Sequence, residues 1–159
     1  MEVGCSYRIE YCQLNRLETH HMENNKFSII LFSGTVDKIA AAVTMATGAV
    51  AMGKDVTLFL TFWGLMAFRK DDWKTNMRFS KDFEDYGAMA MKQMQAKKMP
   101  HWHDTLTNAM ELGNFTIKAC SLTLDLFDMK LEHLDPLVHE VTGVATFIEE
   151  SDGGTTLFI

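Results

Sequence analysis

Residues 27–64 run FSIILFSGTVDKIAAAVTMATGAVAMGKDVTLFLTFWG, and they spell two strands with a helix between them. Phe27-Ser28-Ile29-Ile30-Leu31-Phe32 is a short β-branched and aromatic run stopped by Ser33-Gly34-Thr35, the pattern of a buried strand ending in a turn. Asp37 to Met52 is rich in Ala, carries an acidic residue in its first turn and meets Gly53 at its end, which predicts a helix. Val56 to Phe62 is a second strand, halted at Trp63-Gly64. Two strands joined by one helix form a βαβ unit, whose crossover is right-handed and whose strands are parallel.

Beyond this unit the alternation continues. Phe79, Phe83, Tyr86, Ala90 and Met94 fall at three- and four-residue steps and define one helical face. A second helix is predicted from His103 to Leu112, stopping at Gly113. Phe115–Cys120 reads as the third strand, Ser121 to about Met129 as a helix, and Leu137–Val141, after the Asp135-Pro136 turn, as a fourth strand. Gly143–Glu150 is a helix and Thr155–Ile159 a fifth strand. The expected fold is therefore α/β: a three-layer sandwich with a five-stranded, mostly parallel sheet and helices on both faces, flavodoxin-like in topology.

Composition agrees with a single domain. The chain has 159 residues, 47% of them hydrophobic and 23% charged, with a formal net charge of −6. That is enough chain for one sizeable core and too apolar for a wholly disordered one. The acidic balance speaks against nucleic-acid binding, which needs a basic face. Three cysteines, Cys5, Cys12 and Cys120, are too few and too uneven for a disulfide scaffold. No apolar stretch reaches bilayer length and residues 1–26 lack a signal-peptide pattern, so a cytoplasmic protein without membrane insertion is expected. Residues 1–25 read as an extension, either poorly ordered or upstream of a biological start at Met22, and 26–159 as the domain.

Ligands in open α/β sheets bind beyond the carboxyl ends of the strands. Three strand ends carry distinctive residues: Ser33-Gly34-Thr35, Trp63-Gly64 and Cys120-Ser121. Cys120 ends a strand and enters a helix, where orphan N–H groups and the helix dipole favour a thiolate. It is a candidate nucleophile; the alternative is an inert buried cysteine. Thr116, Lys118 and Cys120 share one face of their strand, so Lys118 either supports an anion near Cys120 or reaches solvent at a sheet margin. Ser33, Gly34 and Thr35 are candidate donors to an anion, or an ordinary turn and cap. Trp63 is a candidate pocket wall. His139 is a candidate assistant to Cys120, with a satisfied or exposed histidine as the simpler reading.

Several patterns lead elsewhere. Met89, Met91 and Met94, with His101 and His103 nearby, contain soft metal ligands but lack a fixed spacing, and apolar packing explains them better. His20-His21 with Cys5 and Cys12 are a further possible metal set. Asp71-Asp72 reads as a solvated loop. The chain has no G-x-G-x-x-G after its first strand, no P-loop and no C-x-x-C, which removes the dinucleotide, P-loop and thioredoxin-type readings. Neither cofactor nor metal is expected.

Ala119-Cys120-Ser121-Leu122-Thr123-Leu124-Asp125-Leu126 resembles the cysteine motif of the DsrE/DsrF-like family, and specifically of its DsrE2 branch. Phe32-Ser33-Gly34-Thr35-Val36-Asp37-Lys38, Ala49–Gly53, Phe62-Trp63-Gly64 and Gly143–Phe147 are similar to that branch in the same order, over about Lys26–Ile159. Leu122, Leu124 and Phe127-Asp128 stand where Met, Met and Met-Gly are common, which alters pocket shape rather than fold. The resemblance implies sulfur handling. Cys120 would accept sulfane sulfur as a persulfide and yield it to a partner thiol, which requires a reachable sulfur atom. Asp125 and Gly143 match structural positions of the motif, with Asp125 holding the helix or a subunit contact. The resemblance also implies a homo-oligomer, with sulfur-donor and sulfur-acceptor proteins or small persulfides as partners. A non-catalytic ligand-binding or assembly module of the same fold is one alternative, and a thiol peroxidase-like protein with a sulfenic acid at Cys120 is another.

Overall fold

A computed structural model describes residues 25–159. The expectations for residues 1–24, including Cys5, Cys12, His20 and His21, lie outside the described residues. Strands β1 (Lys26–Leu31), β2 (Asp55–Leu60), β3 (Phe115–Cys120), β4 (Glu140–Thr142) and β5 (Thr155–Phe158) form one sheet in the order β4-β3-β2-β1-β5. Every neighbouring pair is parallel. Six α-helices are described: α1 (Val36–Ala51), α2 (Phe62–Ala67), α3 (Glu84–Ala96), α4 (Trp102–Leu112), α5 (Ser121–Leu126) and α6 (Val144–Ser151). The expected α/β architecture is present, with all five strands parallel. Its strand order differs from the 2-1-3-4-5 order of flavodoxin itself.

That order follows from a change of direction. The chain lays β1 to β4 side by side, then returns to place β5 beyond β1. Right-handed crossovers put helices on opposite faces for opposite directions of travel, so α6 faces away from α1. The two faces are unequal. Ile29, Leu31, Leu58, Leu60, Ile117 and Ala119 point to the α1 side and are fully buried. There they meet Ile39, Ala42, Val43 and Ala46 of α1, spaced on one helical stripe, and Leu106 and Ala109 of α4. The opposite face holds a much smaller cluster of Phe59, Cys120 and Phe147, with Ile30 against it.

Three elements depart from expectation. β2 ends at Leu60, and Phe62 opens α2 instead of closing the strand. Thr61 N–H donates to Leu31 O, and Phe62 N–H to Thr123 Oγ1, so tertiary bonds turn the chain where its apolar pattern continues. The face of Phe79, Phe83, Tyr86, Ala90 and Met94 is not packed into the core. Phe79 precedes α3, Phe83 and Tyr86 are exposed, and only Gly87 of α3 is buried. β4 starts at Glu140, because Asp135 ties down the residues before it. Its Oδ1 accepts from Leu137 N–H and its carbonyl from Val138 N–H. None of the described helices is long and apolar enough to cross a membrane.

Candidate functional site

The ends of β1 and β2 meet through close backbone contact. Gly64 N–H donates to Phe32 O at 2.8 Å. A Cβ on Gly64 would lie 2.1 Å from Leu31 O, and one on Gly34 would lie 2.3 Å from Trp63 O. Only a residue without a side chain fits at either point. The β3 end joins through α5: Thr61 Oγ1 and Thr123 Oγ1 are 3.2 Å apart, and the rings of Trp63 and Phe127 lie 6.0 Å apart. The three expected strand ends therefore do form one margin of the sheet.

Ser33, Gly34, Thr35 and Trp63 line one cavity of about 180 Å³, together with Met66 and Arg78. Gly64 is buried and is not among the lining residues. Met66 and Arg78 carried no sequence signal. Arg78 sits between Met77 and Phe79 with no motif around it, and the packing of residues 76–80 across the α1 N-terminus brings it here. Asn76 Nδ2 donates to Gly34 O, Val36 N–H to Arg78 O, and Ser80 N–H and Oγ to the Asp37 carboxylate. Burial opposes the charge of Asp37, but these bonds and one from Thr35 outweigh it and hold its pKa below the ordinary 3.8.

Cys120 is not in this cavity. Its side chain faces α6 and is 1% exposed, beneath Phe147, whose ring stacks on Phe59 at 4.4 Å. The expectation of a reachable sulfur atom is corrected: in this conformation α6 seals it. The physical reason is the return crossover, which lays α6 over the otherwise polar face of β3. Lys118 is corrected as well. Its Nζ lies 2.7 Å from both Glu140 Oε1 and Glu150 Oε2, so it neither reaches bulk solvent nor is left for an anion at Cys120. Burial works against its charge, yet the two carboxylates raise its pKa above 10.5.

Ser121 is half-buried, and a Cβ on Gly143 would find Ser121 Oγ at 4.0 Å as its nearest neighbour. Gly143 also caps α6 through its extended backbone. Asp125 is exposed on α5. His139 is exposed and its Nδ1 accepts from Ile117 N–H at 3.0 Å, a satisfied histidine on the flank of β3. The other histidines of interest are engaged too. His103 stacks on Trp73 at 3.9 Å and meets Asp135 Oδ2 at 3.0 Å. His101 caps α4, its Nδ1 accepting from His103 N–H, and burial depresses its pKa below 6.5.

Comparison with known proteins agrees with the fold and the family resemblance. The solved structure of MTH1491 from Methanobacterium thermoautotrophicum, a protein of unknown function, superposes with a TM-score of 0.50 at 13% identity, covering 84% of this chain and 98% of that one. The uncharacterized protein YrkE of Bacillus subtilis is 31% identical over 165 residues, 86% of this chain and 98% of its own length. The sulfur carrier protein DsrE2 of Allochromatium vinosum is 30% identical over 160 residues, 82% of this chain and 97% of its own. A family model matches residues 23–101 and 74–158, which between them take in every strand and helix described above. The chain belongs to the DsrE/DsrF/DrsH-like family.

Proposed function

We propose that this protein is a cytoplasmic sulfur carrier that takes sulfane sulfur onto Cys120 and passes it to a partner thiol. The observation that carries the reading is the place of Cys120, the only cysteine among the described residues, at the β3–α5 junction at the end of its strand. Membership of a sulfur-relay family and the DsrE2 relative support it. In the transfer, the Cys120 thiolate attacks the outer sulfur of a donor persulfide. A new S–S bond forms, the donor's S–S bond breaks, and its electron pair leaves with the donor thiolate. An acceptor thiolate then attacks the outer sulfur and Cys120 departs as thiolate, so no oxidant is consumed.

Because Sγ is sealed, the transfer requires α6 to move. α6 carries only one buried residue, Phe147, and is tied to β3 through Glu150 and Lys118. Its Val144 and Ile148 are exposed, as are Leu122 and Leu126 of α5 and Phe158 of β5. These exposed apolar side chains suit a homo-oligomer and the docking of a donor or acceptor.

The test is to load the protein with polysulfide or a small persulfide and weigh it intact. A gain of one sulfur atom that is absent in Cys120→Ser and is given up to an added thiol is the expected result. A second reading, a binding or assembly module whose cysteine does no chemistry, is favoured by the 1% exposure of Cys120. No adduct, together with inertness to alkylating agents in the native protein, would establish it instead.

A further inference from the structure

We infer that the cavity at the β1 and β2 ends is a binding site for a small organic monoanion with an apolar body, of the medium-chain carboxylate type. It is not an isolated dent. A larger groove lined by Met77, Phe79, Ala88 and Met91 shares Thr35 and Arg78 with it, so the two run together at these residues. Arg78 lies where the two cavities join. Its N–H donates to Asn76 Oδ1 and its carbonyl accepts from Val36 N–H, so its backbone is fixed at both ends. Asn76 is itself buried and bonded to Gly34 O. The guanidinium thus leaves from a set point beside the Ser33 and Thr35 hydroxyls, which lie 3.1 Å apart. It forms no ion pair among the described residues.

Charge selects the ligand class. The charged side chains lining the joined cavities are Arg78, Lys81 and Glu84, two cations against one carboxylate. That surplus matches one negative charge better than the two of a phosphate monoester. Asp37, the other carboxylate nearby, keeps its charge but lines neither cavity, and Ser80 and Thr35 hold it. A carboxylate head at Arg78 forms charge-assisted hydrogen bonds, with the Ser33 hydroxyl as a further donor, since the Thr35 hydroxyl is given to Asp37. The methionines of the groove and Trp63 and Met66 then cover an unbranched apolar body without demanding one shape.

This site does not depend on the chemistry of Cys120, and binding is read whatever the result of sulfur loading. Octanoate is the probe, titrated by calorimetry and by tryptophan emission, with octanol and octylamine as controls. Saturable octanoate binding is expected, with octanol and octylamine much weaker and affinity rising roughly fourfold per methylene along the carboxylate series. Arg78→Met should weaken octanoate about tenfold or more, and Arg78→Lys should retain most of it. Thermal melts check that each variant is folded, and Met77→Asp, which sets a carboxylate in an exposed part of the groove, should repel octanoate independently. The inference is overturned if octanol binds as well as octanoate, if folded Arg78→Met or Met77→Asp binds like the parent, or if octanoate does not saturate in the millimolar range.

Discussion

At the residue scale, Cys120 and Phe147 are one problem. The ring that buries the sulfur atom also completes the smaller core cluster. Phe147→Ala should therefore do two things. It should lower stability by about 3 kcal/mol in denaturant unfolding, as expected of a buried Phe truncation. It should also speed alkylation of Cys120 under native conditions. A variant equally destabilised but no more reactive would show that α6 is not the cover. Gly64→Ala tests the close approach of β1 and α2. The new Cβ must push Leu31 O away from 2.1 Å, so a loss of about 1–3 kcal/mol is expected. That Ser33, Gly34, Thr35 and Trp63 gather at one margin of the sheet was legible because each follows closely on a strand. Arg78 was not, since its position depends on hydrogen bonds to residues about forty positions earlier.

At the scale of elements, the 76–80 segment is clasped to the α1 N-terminus by Asp37. The folded-state pKa of Asp37 lies below 3.8, so its contribution is present above that value and is lost as the pH falls through the lower folded value. Hydrogen exchange at the Ser80 amide should accordingly quicken as the pH is taken below 3.8, relative to amides of α1. Asp37→Asn should remove most of that pH dependence. The latch of α6 is the second element-level device. Glu150→Gln leaves Lys118 with Glu140 alone, so native-state alkylation of Cys120 should rise, by less than in Phe147→Ala. An unchanged rate in Glu150→Gln would mean that the stacked rings alone hold α6.

For the whole molecule, the unequal coverage of the sheet matters most. One face is buried under α1 and α4, while the other carries α6 and leaves Val144, Ile148 and Phe158 exposed. Light scattering at micromolar concentration should find an oligomer, and Ile148→Asp should shift it toward monomer. A parent protein that is already monomeric there would remove that expectation.

The periodicities of the chain were enough to set the parallel α/β plan, because strand and helix repeats depend on which residues are apolar and how they are spaced. They also placed Cys120 at the end of β3 and the turn residues after β1 and β2. What tertiary structure alone decided was coverage and company. The return of the chain past β1 put α6 over Cys120, and the pinning of residues 76–80 brought Arg78 to the cavity. Both depend on contacts between residues distant in sequence, which local pattern does not encode.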